Sequence, residues 1–371
     1  VAETYGLEFL PAEGLGYGDV RPTLRELAEE GARGHFDGGA VVEAVGRHVW
    51  EVERDLERAD FISKELQQAV AIQGDASDQE MLINENIDFV VGPLIKSNIE
   101  KLQQAQASFS RPLPTLALNI PDDLEAGNNT CYLALSPEQE VAQAAKHLFA
   151  QGYRYPLILA PQGRLGTRVV EAFEGEWKKY SKDKVAVNLF GDKRQLQRDI
   201  NKVFGLQESQ QHIAQMESLL DIPLESQPRS RRDIDAVYIV AGSSELTLIK
   251  PFIEVAVNPD TAPPKLFSNS RSNSGRQQYE DLTGVMYSDI PLLIQPNAAL
   301  EAQMEQLWPK DSNAEKRLQA LGMDAYLLME QLPQMKVVQG HTLQGNTGVL
   351  SINEDCVVQR EISWAEHGVA K

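Results

Sequence analysis

The chain has 371 residues, enough to bury a sizeable core and to divide into two or more lobes. Its formal net charge of −19 gives a summed field that repels nucleic acid and anionic lipid surfaces, so polyanion binding is disfavoured. Two cysteines are too few for a disulfide scaffold of the kind small secreted domains need, and no run of transmembrane length, secretory leader or lipobox cysteine is legible.

The first sixty or so residues carry weak signals. Leu7-Glu8-Phe9-Leu10-Pro11 followed by Gly14 and Gly16 has the outline of a strand and a glycine loop, but Glu8 fits a buried parallel strand badly. From there on, apolar runs of strand length alternate with amphipathic stretches of helix length. The clearest strands are 88–91, 115–118, 157–160, 236–240 and 265–268, and their unbroken apolar character is what strands covered by helices on both faces require. Between them, Ser136-Pro137-Glu138-Gln139 reads as a helix start with a capping hydroxyl and a first-turn proline. That helix shows Val141, Ala144, Ala145, Leu148 and Phe149 on one stripe and stops at Gly152. A second helix is expected after Gly166-Thr167, burying Val170, Phe173 and Trp177. Residues 204–232, rich in Gln, Ser and Glu, read as an insertion holding a short helix and ending in the polar connector that contains Arg229, Arg231 and Arg232. A last stripe runs through Leu318, Leu321, Ala325, Leu328 and Leu332. Strands alternating with helices specify an α/β fold with parallel sheets and right-handed crossovers.

No catalytic constellation stands out. Gly14-Leu15-Gly16-Tyr17-Gly18 lacks dinucleotide spacing, and there is no Walker A lysine, H-E-x-x-H or G-x-S-x-G pattern. His35, His48, His147, His212, His341 and His367 are scattered without metal spacing, so no metal and no cofactor is expected. Asp122-Asp123 reads as a turn. More informative are the loops after the C-terminal ends of the strands, where open α/β sheets take ligands. Lys96, Ser97, Asn98, Asn119, Gln162, Arg164, Gly166, Ser243, Ser244, Ser270 and Arg271 are the candidates there, suited to a small polar or anionic ligand. The same residue types also cap helices and make turns.

The strings VVGPLIKSN, NNTCYLALSPEQE, IDAVYIVAGSSEL, SNSRSNSG, YSDIPLL and GNTGVLSINEDCVVQREISW, in this order, resemble the LppC/LpoA family of Gram-negative outer-membrane lipoproteins. Members activate a bifunctional class A penicillin-binding protein, and the likeness runs from about Ala69 to the C-terminus. The resemblance implies a two-lobed type I periplasmic-binding-protein-like fold, with residues 1–135 and 290–340 in the first lobe and 136–289 and 341–371 in the second. It also points to the periplasm, where a bridge between Cys131 and Cys356 would persist. It implies a non-enzymatic regulator of peptidoglycan synthesis held at the inner face of the outer membrane by a lipid anchor outside this chain. The rival expectation is a periplasmic receptor for a small polar ligand or wall fragment.

Overall fold

A computed structural model describes residues 69–71, 89–107, 112–124, 129–220, 233–257, 262–275, 280–295, 297–309 and 312–369. The strand and glycine loop read at 7–18, and the polar connector at the end of the insertion, lie outside the described residues. The chain divides into two compact units, with boundaries at Ser136/Pro137, Asp289/Ile290 and Glu361/Ile362.

The first unit holds a parallel sheet of β1 (Ala69–Ala71), β2 (Phe89–Val91), β3 (Thr115–Ala117) and β4 (Thr130–Tyr132), in that spatial order. Successive residues of a strand point to opposite faces. Leu116 and Cys131 therefore join Leu321, Ala325, Leu328, Leu332 and Met335 of the long helix α9 (Asn313–Val337). Their neighbours Ala117 and Tyr132 pack on the other face with Ile99 of α1 (Lys96–Gln106). Helix α9 opens with a capping box, Ser312 Oγ accepting from the Glu315 N–H while the Glu315 carboxylate accepts from the Ser312 N–H. The short helices α7 (Pro291–Ile294) and α8 (Ala298–Leu307) bury Leu292, Leu293 and Met304 against Ala320 and Met323 of α9.

The second unit holds a six-stranded sheet ordered β13-β9-β8-β7-β5-β6, formed by β5 (Pro156–Pro161), β6 (Ala186–Phe190), β7 (Ala236–Ile239), β8 (Lys265–Ser268), β9 (Met286–Asp289) and β13 (Ser363–Glu366). All pairs are parallel except β13 against β9. Leu157, Leu159, Val237, Ile239 and Leu266 face α4 (Lys193–Val203) and α6 (Ser243–Ala256). The interleaved Ile158, Ala160, Ala236, Tyr238 and Phe267 face α2 (Pro137–Ala150) and α3 (Arg164–Trp177). Both layers being apolar is why these strands read as unbroken hydrophobic runs.

Three details depart from the sequence reading. Helix α3 begins at Arg164, two residues before Gly166, and the insertion's helix α5 (Leu206–Leu220) spans fifteen residues. The third concerns the terminal hairpin, expected to rejoin the second lobe from residue 341. Strands β10 (Leu343–Gln344), β11 (Val349–Ile352) and β12 (Val358–Glu361) form an antiparallel sheet grouped with the first unit, because Leu350 and Val358 are fully buried in its core. Only from Ile362 does the chain enter the second unit.

Candidate functional site

In each unit the parallel strands place their C-terminal loops along one edge of the sheet. In the first unit, the loop after β2 is tied to the loop after β3. The Leu118 N–H donates to Pro93 O at 2.9 Å, and Asn119 Nδ2 donates to Leu94 O at 2.8 Å while its Oδ1 accepts from the Ile120 N–H at 2.9 Å. Asn119 is thus a brace between loops. Lys96 pairs with Asp122 at 2.8 Å on the surface, where such a contact contributes little. Ser97 is exposed and Asn98 half-buried in the first turn of α1.

In the second unit, Gly166 is explained by packing. A Cβ there would lie 1.7 Å from the Pro161 carbonyl oxygen, so only glycine lets α3 sit this close to the end of β5. Gln162 is exposed, and its Nε2 reaches Leu189 O at 3.4 Å. Arg164, Ser244 and Arg271 are exposed and Ser243 is half-buried. Ser270 behaves differently. Its N–H donates to Glu140 Oε1 at 2.6 Å and its hydroxyl to Oε2 at 3.0 Å, while the buried Ser288 Oγ donates to Oε1 at 2.7 Å.

Glu140 lies in the first turn of α2, where the helix dipole favours a negative charge. Burial nonetheless pushes its carboxyl above the usual value; the serine hydrogen bonds pull it back, and the nearby Asp289 carboxylate adds to the rise. Tyr238 is held well above the ordinary phenol range, first by burial and then by the charge of Glu140. Around this centre, Asn273 Nδ2 donates to Asp289 Oδ2 at 2.9 Å. Ser272 Oγ donates to Asn269 O at 2.9 Å, which commits its proton, so His367 Nε2–H is the donor in the 3.0 Å contact with Ser272 Oγ. A histidine giving its proton to a 2% exposed serine is not a base activating a nucleophile.

Glu140, Ser288, Asp289 and Asn273 were not singled out from sequence, and His367 was read only as one of six scattered histidines. Glu140 sat inside a segment that reads fully as a helix start, and its partners lie 130 and 148 residues away. The string YSDIPLL carried Ser288 and Asp289 as part of a likeness, without a reason for either. Among the described residues, no group of three or more His, Cys, Asp or Glu is placed to hold a metal ion, and no helix is long and apolar enough to cross a membrane.

Two mainly parallel, doubly covered sheets with their loops gathered at the strand ends define an α/β protein of the periplasmic-binding-protein-like kind. A putative branched-chain amino acid ABC transporter structure from Chromobacterium violaceum shares the fold, with a TM-score of 0.57 over 88% of this chain and 94% of that one at 23% identity. The chain matches the family described as LppC putative lipoprotein over residues 75–370, and it belongs to that family. It is 75% identical over 289 residues to the penicillin-binding protein activator LpoA of Vibrio cholerae serotype O1, covering 78% of this chain and 48% of the relative. The chain therefore spans about half the length of the curated relatives it matches. It is also similar to the solved C-domain of LpoA (YraM) from Haemophilus influenzae, a regulator of PBP1A. The TM-score is 0.61 at 26% identity, over 76% of this chain and 80% of that one.

Proposed function

We propose that this chain is the periplasmic-binding-protein-like part of a non-enzymatic activator that binds a class A penicillin-binding protein and stimulates peptidoglycan cross-linking. The observation that carries the reading is the 75% identity over 289 residues to a penicillin-binding protein activator, which spans both units. The site chemistry agrees with it: the one serine–histidine contact described above is buried and has the wrong proton direction for nucleophilic catalysis. The family description as a lipoprotein supports a periplasmic location at the inner face of the outer membrane, reached through a lipid anchor on the full-length protein. A wall fragment or other small polar ligand is a further candidate partner. The exposed strand-end residues Arg164, Ser244 and Arg271 of the second unit are the proposed contacts for it.

The test compares cross-linking by a purified class A penicillin-binding protein with and without this chain, beside a blank holding only the chain and purified wall. Stimulated cross-linking and a silent blank are expected. Muropeptides released in the blank would overturn the non-enzymatic reading. Unchanged cross-linking with no complex formed would overturn the activator reading. Palmitate labelling and fractionation of the full-length protein check the anchor and its membrane.

A further inference from the structure

The edge of the second unit's sheet, where an open α/β sheet presents donors to a ligand, already holds a carboxylate that belongs to the chain. We infer that the Ser270 N–H, Ser270 Oγ and Ser288 Oγ form a carboxylate-binding cradle, occupied in cis by Glu140 and open to free small carboxylates once that side chain is removed. The three donors converge from different elements: Ser270 opens the 3-10 turn that follows β8, and Ser288 lies one residue from the end of β9. They reach both oxygens of one carboxylate, the Ser270 N–H and Ser288 Oγ at 2.6 and 2.7 Å, in the short range of charge-assisted hydrogen bonds, and Ser270 Oγ at 3.0 Å. Ser288 is fully buried, so its hydroxyl has no water to turn to, and Asn269 and Ser272 on either side of Ser270 are buried as well. Part of the donor set is thereby held in place by its surroundings, which lowers the ordering cost of filling it. Glu140 supplies that charge from the first turn of α2. While it does so, these three donors are not vacant for a solute carboxylate. The inference goes beyond the activator reading and stands without it.

Substitution Glu140→Ala deletes the Cγ methylene and the carboxylate, the two carbons of acetate, so acetate is the probe. In the whole chain at neutral pH, Glu140→Ala is expected to melt about 2 °C higher in about 100 mM sodium acetate than in sodium chloride of equal strength. Wild type and the triple variant Glu140→Ala, Ser270→Ala, Ser288→Ala are expected to show no such difference. An equal acetate effect in all three would overturn the proposal. A second readout does not depend on Glu140→Ala folding. In Ser270→Ala, Ser288→Ala, with Glu140 kept, the 13C carboxyl signal of Glu140 is expected to titrate at higher pH than in wild type, because two donors to the charged form are gone. A midpoint that stays in place would overturn the cradle.

Discussion

Asp324 shows what a single buried charge does in the first unit. It is fully buried on α9, and its carboxylate accepts from the Asn346 N–H at 2.7 Å, the Thr347 N–H at 2.8 Å and the Thr347 hydroxyl. Arg360, also buried, donates from Nε to Ala134 O at 2.9 Å and from Nη1 to Thr347 O at 3.1 Å. The loop between β10 and β11 is thereby clamped to a helix and to the chain's exit from the first unit. Removing the acceptor strands three donors and takes away the carboxylate charge near the Arg360 guanidinium. Asp324→Ala is accordingly expected to cost about 3 kcal/mol, read as a lower urea midpoint. Gly345 is as constrained from the other side, since a Cβ would come within 2.7 Å of Asp324 Oδ2 and 2.9 Å of Leu350 Cδ1. Gly345→Ala is expected to cost about 1–3 kcal/mol through overpacking. Both Asp324 and Glu140 have carboxyl groups raised above 3.8 and 4.5, chiefly by burial. A raised folded value means that the folded state holds its proton more tightly than the unfolded one. Each group's contribution is then most favourable below the unfolded value, and is lost as pH rises through the folded one. Glu140→Gln, which cannot ionise, is expected to gain on wild type as pH is raised from 4.5 toward neutrality. A stability difference that does not change with pH would show that Glu140 titrates as it does in the unfolded chain.

At the scale of elements, the strand cores were legible because both faces of each sheet are apolar. Leu157, Ile158, Leu159 and Ala160 alternate between two helix layers, and no polar residue interrupts the run. The stripe on α2 was legible for the complementary reason, one face of Val141, Ala144, Ala145 and Leu148 being buried at helical spacing. The allegiance of the terminal hairpin was not. Leu350 and Val358 are apolar strand residues of the kind either unit would accept, and what assigns them is contact with α9 and β4, which no local pattern encodes. The carboxylate centre was hidden for a similar reason: serines and a glutamate spread across 148 residues look like caps and turns until the fold gathers them. One long-range link is covalent. Cys131 in β4 is bonded to Cys356, with Cα atoms 4.8 Å apart, and beside it the Tyr132 N–H donates to Cys356 O at 3.0 Å. The bond closes a loop of 225 residues that includes the whole described second-unit sheet except β13. Chain entropy assigns such a closure about 5 kcal/mol, so reduction is expected to lower Tm markedly. Thiol labelling of the unfolded, unreduced protein is expected to find no reactive cysteine, and two labelled cysteines would contradict the bridge. The approach of α3 to β5 is steric, and Gly166→Ala, which puts a methyl 1.7 Å from Pro161 O, is expected to unseat α3 and destabilise the protein by more than about 3 kcal/mol in thermal melts.

For the whole molecule the dominant quantity is charge. A formal net charge of −19 on 371 residues leaves a surface field that anions avoid and that a basic protein surface would feel from about a Debye length away. If the activator reading holds, that field acts mainly on encounter: opposite charges speed docking and select the facing patch, while exposed pairs add little to the bound state because water and salt screen them. Association with a class A penicillin-binding protein is therefore expected to be salt-sensitive in its on-rate. Raising sodium chloride from about 50 mM to about 500 mM shortens the screening length from roughly 14 Å to roughly 4 Å and is expected to slow association about tenfold, with dissociation changing far less. Biolayer interferometry on the immobilised synthase separates the two rates. An on-rate indifferent to salt would mean that the contact is apolar and that the acidic surface serves solubility alone. A salt effect confined to dissociation would place the decisive charges inside the interface, where they are desolvated and worth more per pair.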